Sequence, residues 1–219
     1  MRERDKKIIE LTQRYRLGTN ATYQAMAFEG QSLNAVSKVT ARLCKQGLLS
    51  RYPLFPPQDY FLLGTKATQM LGLSASRTHP LGPQALPMDF AVLLYAASGE
   101  RKRLMASELE ETVPWLPKNL MHSPYCIGRD NILELVRVDL GGSARNIAKK
   151  LSADCSKRFE IREFRDLITN SQFQLVVLTT TNAKARLIRQ AIQSLTWTQG
   201  IRLHLAMIPN LAQLHFRNF

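Results

Sequence analysis

Cysteine is scarce in this sequence, and so is negative charge. The three cysteines, Cys44, Cys126 and Cys155, are odd in number and far apart, with no C-x-x-C pair. That excludes a disulfide framework and the usual thiolate zinc sites, and the four histidines are too scattered to supply one. Isolated thiols of this kind suit a reducing compartment. The expectation is a cytoplasmic protein with no metal and no other cofactor. No stretch of about 20 apolar residues occurs, so no transmembrane helix and no membrane association are expected. The first residues, MRERDKK, offer no apolar core for a signal peptide. Acidic residues number 17 against 30 Lys plus Arg, a net charge of +13 over 219 residues. Both halves share the excess. It calls for a polyanionic partner, most simply nucleic acid. A soluble basic protein, or one that touches anionic lipid, is the competing reading of charge alone. With 45% hydrophobic residues the chain can build packed cores, which argues against wholesale disorder.

What is present is organised around Gln31 to Arg51, QSLNAVSKVTARLCKQGLLSR. Leu33, Val36, Val39 and Leu43 recur at helical spacing and predict an apolar stripe. The opposite face carries Asn34, Ser37, Lys38, Ala41, Arg42 and Lys45, with no acid. Ser32 is placed to cap the helix, and Gly47 to end it in the left-handed conformation. Short polar side chains near the start can approach base edges in a major groove. Lys38, Arg42 and Lys45 can reach guanine or phosphates. A solvated helix with an idle basic face is the bland alternative.

The neighbours favour the groove. Leu48 to Tyr52 and Asp59 to Leu63 read as two strands around a Pro-rich tip, Pro53 to Gln58. A helix start follows at Gly64-Thr65, and a fourth helix over Thr65–Leu71. Before them, Arg4 to Tyr15 and Asn20 to Phe28 read as helices, the second capped by Thr19 or Asn20, with Glu29-Gly30 turning into the third. The order is that of a winged helix-turn-helix over residues 1–74, in which Arg51 and Tyr52 at the wing root contact the flanking DNA backbone. Ser74 to Pro87, with three prolines and no periodicity, reads as a linker over 75–87.

Residues 88–219 read as a mixed α/β domain. Met88–Ser98 is an apolar helix and Arg103–Glu108 a short strand. Glu108–Trp115 is ambiguous and Lys118–Gly128 loop-like. Ile132–Leu140 alternates as a strand. Ser143–Phe159 is a basic helix, continued by Arg162–Asn170. Gln174–Thr179 is a buried strand, Thr181–Leu195 a helix and Ile201–Ile208 a last strand. These elements imply a small sheet covered by helices. Arg145, Lys149, Lys150, Lys157 and Arg158 can be phosphate contacts or a solvated face. Trp115 and Trp197 are expected in the core or an interface, and His122 has no nucleophile beside it.

The stretches GLLSR, YFLLGTKATQMLG, MDFAVLLYAA, LVRVDLGG and FQLVVLTTTNAKARLIRQA, in this order, resemble the replication-relaxation family of mobile-element proteins. The resemblance spans nearly the whole chain. It implies a winged helix fused to a restriction-endonuclease-like α/β domain. Such a nuclease needs Asp after Pro on one strand and Glu-x-Lys or Glu-x-Asp on the next, because these carboxylates hold the Mg²⁺ that activates water. Here Pro124 is followed by Tyr125, and the next strand offers Arg137-Val138-Asp139, so that only Asp139 matches. Glu134 falls on the opposite face of a regular strand. Asp139 before Gly-Gly is expected to cap the next helix or to pair with an arginine. The second domain is then a degenerate nuclease core, kept for structure, DNA backbone contact or dimerisation.

These readings converge on a sequence-specific double-stranded DNA-binding protein of a plasmid, conjugative element or phage. It would regulate transcription or serve as an accessory factor at a transfer or replication origin, without catalysis. A homodimer is expected, with a relaxase or replication or transcription proteins as further partners. The alternatives are a metal-dependent DNA nuclease using Asp130, Glu134 and Asp139, and a module whose winged helix binds protein.

Overall fold

The computed structural model describes residues 1–219 except 100, 194, 196–199 and 216–219. Trp197 lies outside the described residues. The chain is mixed α+β and divides into two compact units, Met1–Ala97 and Ser98–Asn218.

The first unit begins with α1 (Glu3–Tyr15), α2 (Asn20–Ala27) and α3 (Leu33–Lys45). A hairpin, β1 (Leu49–Phe55) and β2 (Gln58–Leu63), and then α4 (Thr65–Met70) and α5 (Ala85–Ala97) follow. The core joins Ile8 and Ile9 of α1, Tyr23 of α2, Val36 and Leu43 of α3, and Leu49, Phe61 and Leu63 of the hairpin. Between α1 and α2 the chain makes one more rung on the hairpin: Gly18 and Phe61 exchange backbone hydrogen bonds of 3.0 and 2.8 Å. The strands run further into the Pro-rich tip than the composition suggests, with Pro53 opposite Asp59 and Phe55 opposite Gln58. A two-stranded sheet has only edges, and proline is tolerated where its missing N–H would face outward.

The stretch 75–87 is no free linker. Tyr52 donates its hydroxyl to the Thr78 carbonyl at 2.7 Å, and the Leu81 N–H donates to the Tyr60 hydroxyl at 3.3 Å. Helix α5, expected to open the second domain, belongs to the first unit and packs against α1 and α2. Its residues are apolar nearly all round, which demands burial on several sides. Its one acid, Asp89, is buried and paired with Arg16 at 3.3 Å.

The second unit is a five-stranded sheet in the order β3-β4-β5-β6-β7, namely Lys102–Arg103, Tyr125–Ile127, Leu133–Val138, Phe173–Thr179 and Arg202–Met207. The first three are antiparallel neighbours and the last three parallel. The strands expected around 132–140, 174–179 and 201–208 are β5, β6 and β7. The strand expected over 103–108 is not formed: only Arg103 lies in β3, and α6 (Ala106–Thr112) takes its end and the first part of the ambiguous stretch. Strand β4 lies where a loop was expected; three residues are too few to show alternation. α7 (Ala144–Phe159) and α8 (Arg162–Thr169) cross from β5 to β6, α9 (Asn182–Gln193) from β6 to β7, and α10 (Leu211–His215) follows. One sheet face, including Leu135, Leu175 and Val177, is covered by Leu151 and Cys155 of α7, Phe164 of α8 and Ile188 of α9. Trp115 joins this core edge-on to Phe164 at 4.9 Å.

At Gly64 a Cβ would come within 2.3 Å of the Gly47 carbonyl oxygen. That neighbour is backbone and cannot turn aside. Gly64→Ala is expected to destabilise the unit by about 1–3 kcal/mol through overpacking. Denaturant unfolding followed by circular dichroism measures it, and an unchanged midpoint would contradict the close contact.

Candidate nucleic-acid interface

Helix α3 is fixed at both ends by its own sequence. The Ala35 N–H donates to the Ser32 hydroxyl at 3.2 Å, the expected cap. At the far end the Gly47 N–H donates to the Cys44 carbonyl and the Leu48 N–H to the Leu43 carbonyl, both at 3.0 Å. Gly47 has φ +70°, so the helix closes in a Schellman turn that only a residue tolerant of the left-handed region makes without strain. The buried stripe is Val36, Thr40 and Leu43, with Val39 half-buried. Leu33 does not join it and stands 49% exposed. Thr40 does join it, because its hydroxyl donates to Asn20 Oδ1 at 2.9 Å and so enters the core satisfied.

Asn34, Ser37, Lys38, Ala41 and Lys45 are all exposed. At about 100° per residue they share an arc of roughly 100° on one side of the helix. Arg42 leaves this group. It turns to α1 and forms a two-point ion pair with the buried Asp5, Nη1 to Oδ2 at 3.2 Å and Nη2 to Oδ1 at 2.5 Å. The Arg42 hydrogen bonds hold the Asp5 carboxyl below its usual value of 3.8 against the opposing effect of burial, and the carboxylate raises Arg42 in return. Arg51 and Tyr52 are also engaged. Arg51 Nε donates to Asp59 Oδ2 across the hairpin at 2.7 Å, although its side chain remains 65% exposed. Tyr52 spends its hydroxyl on Thr78 and lies 5.6 Å from the Tyr60 ring. The sequence reading passed over Lys66, which is exposed. Its backbone N–H donates to the Gly47 carbonyl at 3.0 Å. Its side chain lines a groove of about 600 Å³ with Arg2, Gln46 and Met70. The helix start at Gly64-Thr65 was the signal for it.

In the second unit Arg145, Lys149 and Lys150 are exposed along α7, as is Lys157. Arg158, grouped with them on sequence, is buried instead. Its Nε and Nη2 donate to the Tyr125 hydroxyl at 2.9 and 2.8 Å, and its Nη1 to the Asp154 carbonyl at 3.1 Å. Burial raises the Tyr125 hydroxyl's pKa, and the Arg158 charge beside it pulls the other way. Arg137 Nη2 reaches Asp154 Oδ2 at 2.6 Å.

The three carboxylates considered for metal binding do not converge. Asp130 is exposed on a short turn. Glu134 is buried against Gln174, whose Nε2 donates to it at 2.6 Å, with Arg101 Nε at 3.5 Å. Asp139 is buried, accepting from the Gly141 N–H at 3.0 Å and the Thr179 hydroxyl at 2.9 Å, with Lys184 Nζ 3.9 Å away. The helix-capping role expected of Asp139 falls to Ser143, which accepts from the Asn146 N–H, and its cationic partner is a lysine, not an arginine. Five residues of strand separate Glu134 from Asp139 by roughly 16 Å, and an odd offset puts them on opposite faces. Among the described residues no group of three or more His, Cys, Asp or Glu is placed to hold a metal. Burial pushes the Cys126 and Cys155 thiols up to about 12, so both are protonated at neutral pH.

The sequence matches no family model, and no curated protein or solved structure matches it.

The Asp5–Arg42 pair generates a test. A carboxyl depressed by folding stabilises above its unfolded pKa, and that stability is lost as pH falls through the folded value. Arg42→Met is expected to cost about 1–3 kcal/mol at pH 7, because a buried carboxylate loses its charged donor. The deficit against wild type should shrink below about pH 3.8, the usual value for Asp5. Paired urea titrations at pH 7 and pH 3 measure it, and a deficit equal at both would sink the assignment.

Proposed function

We propose that this chain is a double-stranded DNA-binding protein that reads sequence with α3 and does no catalysis. One observation carries the reading: an exposed helix arc of Asn34, Ser37, Lys38, Ala41 and Lys45, with no acid on it, standing beside a hairpin. Short groups sit at the N-terminal end and lysines toward the C-terminal end, the arrangement that brings polar tips to base edges and ammonium groups to phosphates. The order α1-α2-α3-β1-β2, with the Gly18–Phe61 rung, supports a winged helix-turn-helix. In the second unit an antiparallel β3-β4-β5 set followed by a helical crossover to parallel β6 supports a restriction-endonuclease-like core. That core lacks the carboxylate pair, and α7 presents Arg145, Lys149 and Lys150 to a DNA backbone. On the resemblance noted above, the biological setting is a mobile element, where the protein acts as a regulator or origin accessory factor. A homodimer on two half-sites about one helical turn apart would bring enough contact for specificity.

The experiment begins with duplex fragments selected from the protein's own genetic neighbourhood and followed by fluorescence anisotropy. Two copies should bind each selected duplex. Asn34→Ala should cost about 1–3 kcal/mol on that duplex and relax the choice at one base pair. Lys38→Ala with Lys45→Ala should weaken all duplexes alike and lower the salt slope by about two. If the lysine pair left binding intact, α3 would not be the reader.

Absence of catalysis is tested separately. Supercoiled plasmid incubated with Mg²⁺ or Mn²⁺ should remain intact at protein excess. Nicking that vanished in Asp139→Ala would establish the nuclease.

A further inference from the structure

The second unit has an open sheet edge beside a basic slot. Strand β7 ends the sheet, and among the described residues no strand pairs with its outer side. The Ile208 N–H donates inward to the Thr179 carbonyl at 2.8 Å. Backbone groups alternate sides along a strand, so the N–H and C=O groups of Leu203, Leu205 and Met207 point outward. The opposite edge, β3, is only two residues long and basic, which blunts it against pairing. β7 has six residues with no proline, its one charge at the end, Arg202. Helix α9 packs along β7, and between them lies a slot of about 290 Å³ lined by Asn182, Ala185, Arg186, Arg189, Leu205 and Met207. Its floor is apolar, Met207 being 46% exposed. Arg186 and Arg189 are exposed at its rim. Beyond Asp166 the sequence has no Asp or Glu at all, so no carboxylate on α9 or β7 neutralises these guanidiniums.

We propose that this slot binds an extended segment of a partner protein, acidic and apolar in alternation, as an added strand on β7. The segment's backbone would pair with residues 203, 205 and 207. Its apolar side chains would enter between α9 and Leu205 and Met207, and its carboxylates would meet Arg186 and Arg189. Strand addition beside a helix takes affinity from backbone hydrogen bonds and specificity from alternate side chains. Charge selects this occupant over the two others. A second copy pairing through β7 would bring the same arginines together with no acid between them. A DNA duplex could neutralise the arginines but would leave the outward N–H and C=O groups and the apolar floor without use.

The test uses the full chain and a fluorescent seven-residue peptide alternating Glu with Leu and Val. Saturable binding is expected, with a Kd on the order of 10 μM, and the amides of 203, 205 and 207 should exchange more slowly in the complex. Arg186→Glu with Arg189→Glu should weaken binding by about tenfold or more while duplex DNA binding is kept. On the wild-type protein the same peptide with Lys for Glu, or N-methylated at alternate amides, should not bind, which covers the case of a variant that fails to fold. No saturation by the acidic peptide up to about 1 mM, or equal binding of the N-methylated peptide, overturns the proposal. So does an arginine variant that loses self-association or duplex binding instead of peptide binding, since that would assign the slot to a second copy or to DNA.

Discussion

The carbonyl of Gly47 is the point on which the first unit depends. It belongs to the residue whose positive φ closes α3, accepts the Lys66 N–H at 3.0 Å and lies against Gly64, while the Leu48 carbonyl takes the Gly64 N–H at 2.9 Å. Three elements, α3, the hairpin and α4, therefore meet within one turn of backbone. The arrangement needs two glycines for different reasons. Gly47 supplies a positive φ, and Gly64 supplies the absence of a Cβ. A hairpin joined this closely cannot swing independently of the helix before it. The exposed arc of α3 and the base of the hairpin are therefore held as one surface.

Charge in this surface is divided between held and free groups. Arg42 and Arg51 each have a carboxylate partner, whereas Lys38 and Lys45 stand exposed on the arc. The two pairs are not equal. Asp5 is almost wholly withdrawn from water, so removing Arg42 would leave a desolvated carboxylate. The Arg51–Asp59 pair is largely solvated and contributes on the order of 0–1 kcal/mol. Arg51 can therefore exchange Asp59 for a phosphate at small cost, and Arg42 cannot exchange Asp5. On the proposed reading Arg42 sets the angle of α3 against α1, and the lysines of the arc supply the attraction.

Local signals in the sequence carried the helices and the long strands, because each is fixed by residues close together. Ser32 caps α3 as its position implies, and the alternation from 132 to 140 becomes β5. What escaped was set by partners distant in the chain. Arg42 meets Asp5 across 37 residues, and Arg158 meets Tyr125 across 33. An arginine on a basic helix reads as solvated until its partner is seen. The boundary was misplaced for a related reason. Proline and glycine in 75–87 describe an irregular path, but composition is silent on whether that path is tied down, and here Tyr52 and Tyr60 tie it.

In the second unit the position after Pro124 and the one two residues before Asp139 hold Tyr125 and Arg137. Around them the chemistry is the reverse of a cation site. Arg158 lies buried with its guanidinium carbon 5.6 Å from the Tyr125 ring centre and 5.9 Å from that of Phe164, and Arg137 and Arg158 share one carboxylate, Asp154. Two guanidiniums to one carboxylate leave a local positive charge that opposes a divalent cation. A carboxylate introduced at 125 would meet Arg158 first, since that guanidinium already donates twice to the Tyr125 oxygen and binds a carboxylate more strongly than a phenol. It would become a partner for arginine, and the metal would gain no ligand. A metal ligand at 125 would therefore require the loss of Arg158, whose removal would also strip the Tyr125 hydroxyl of both its donors in the core.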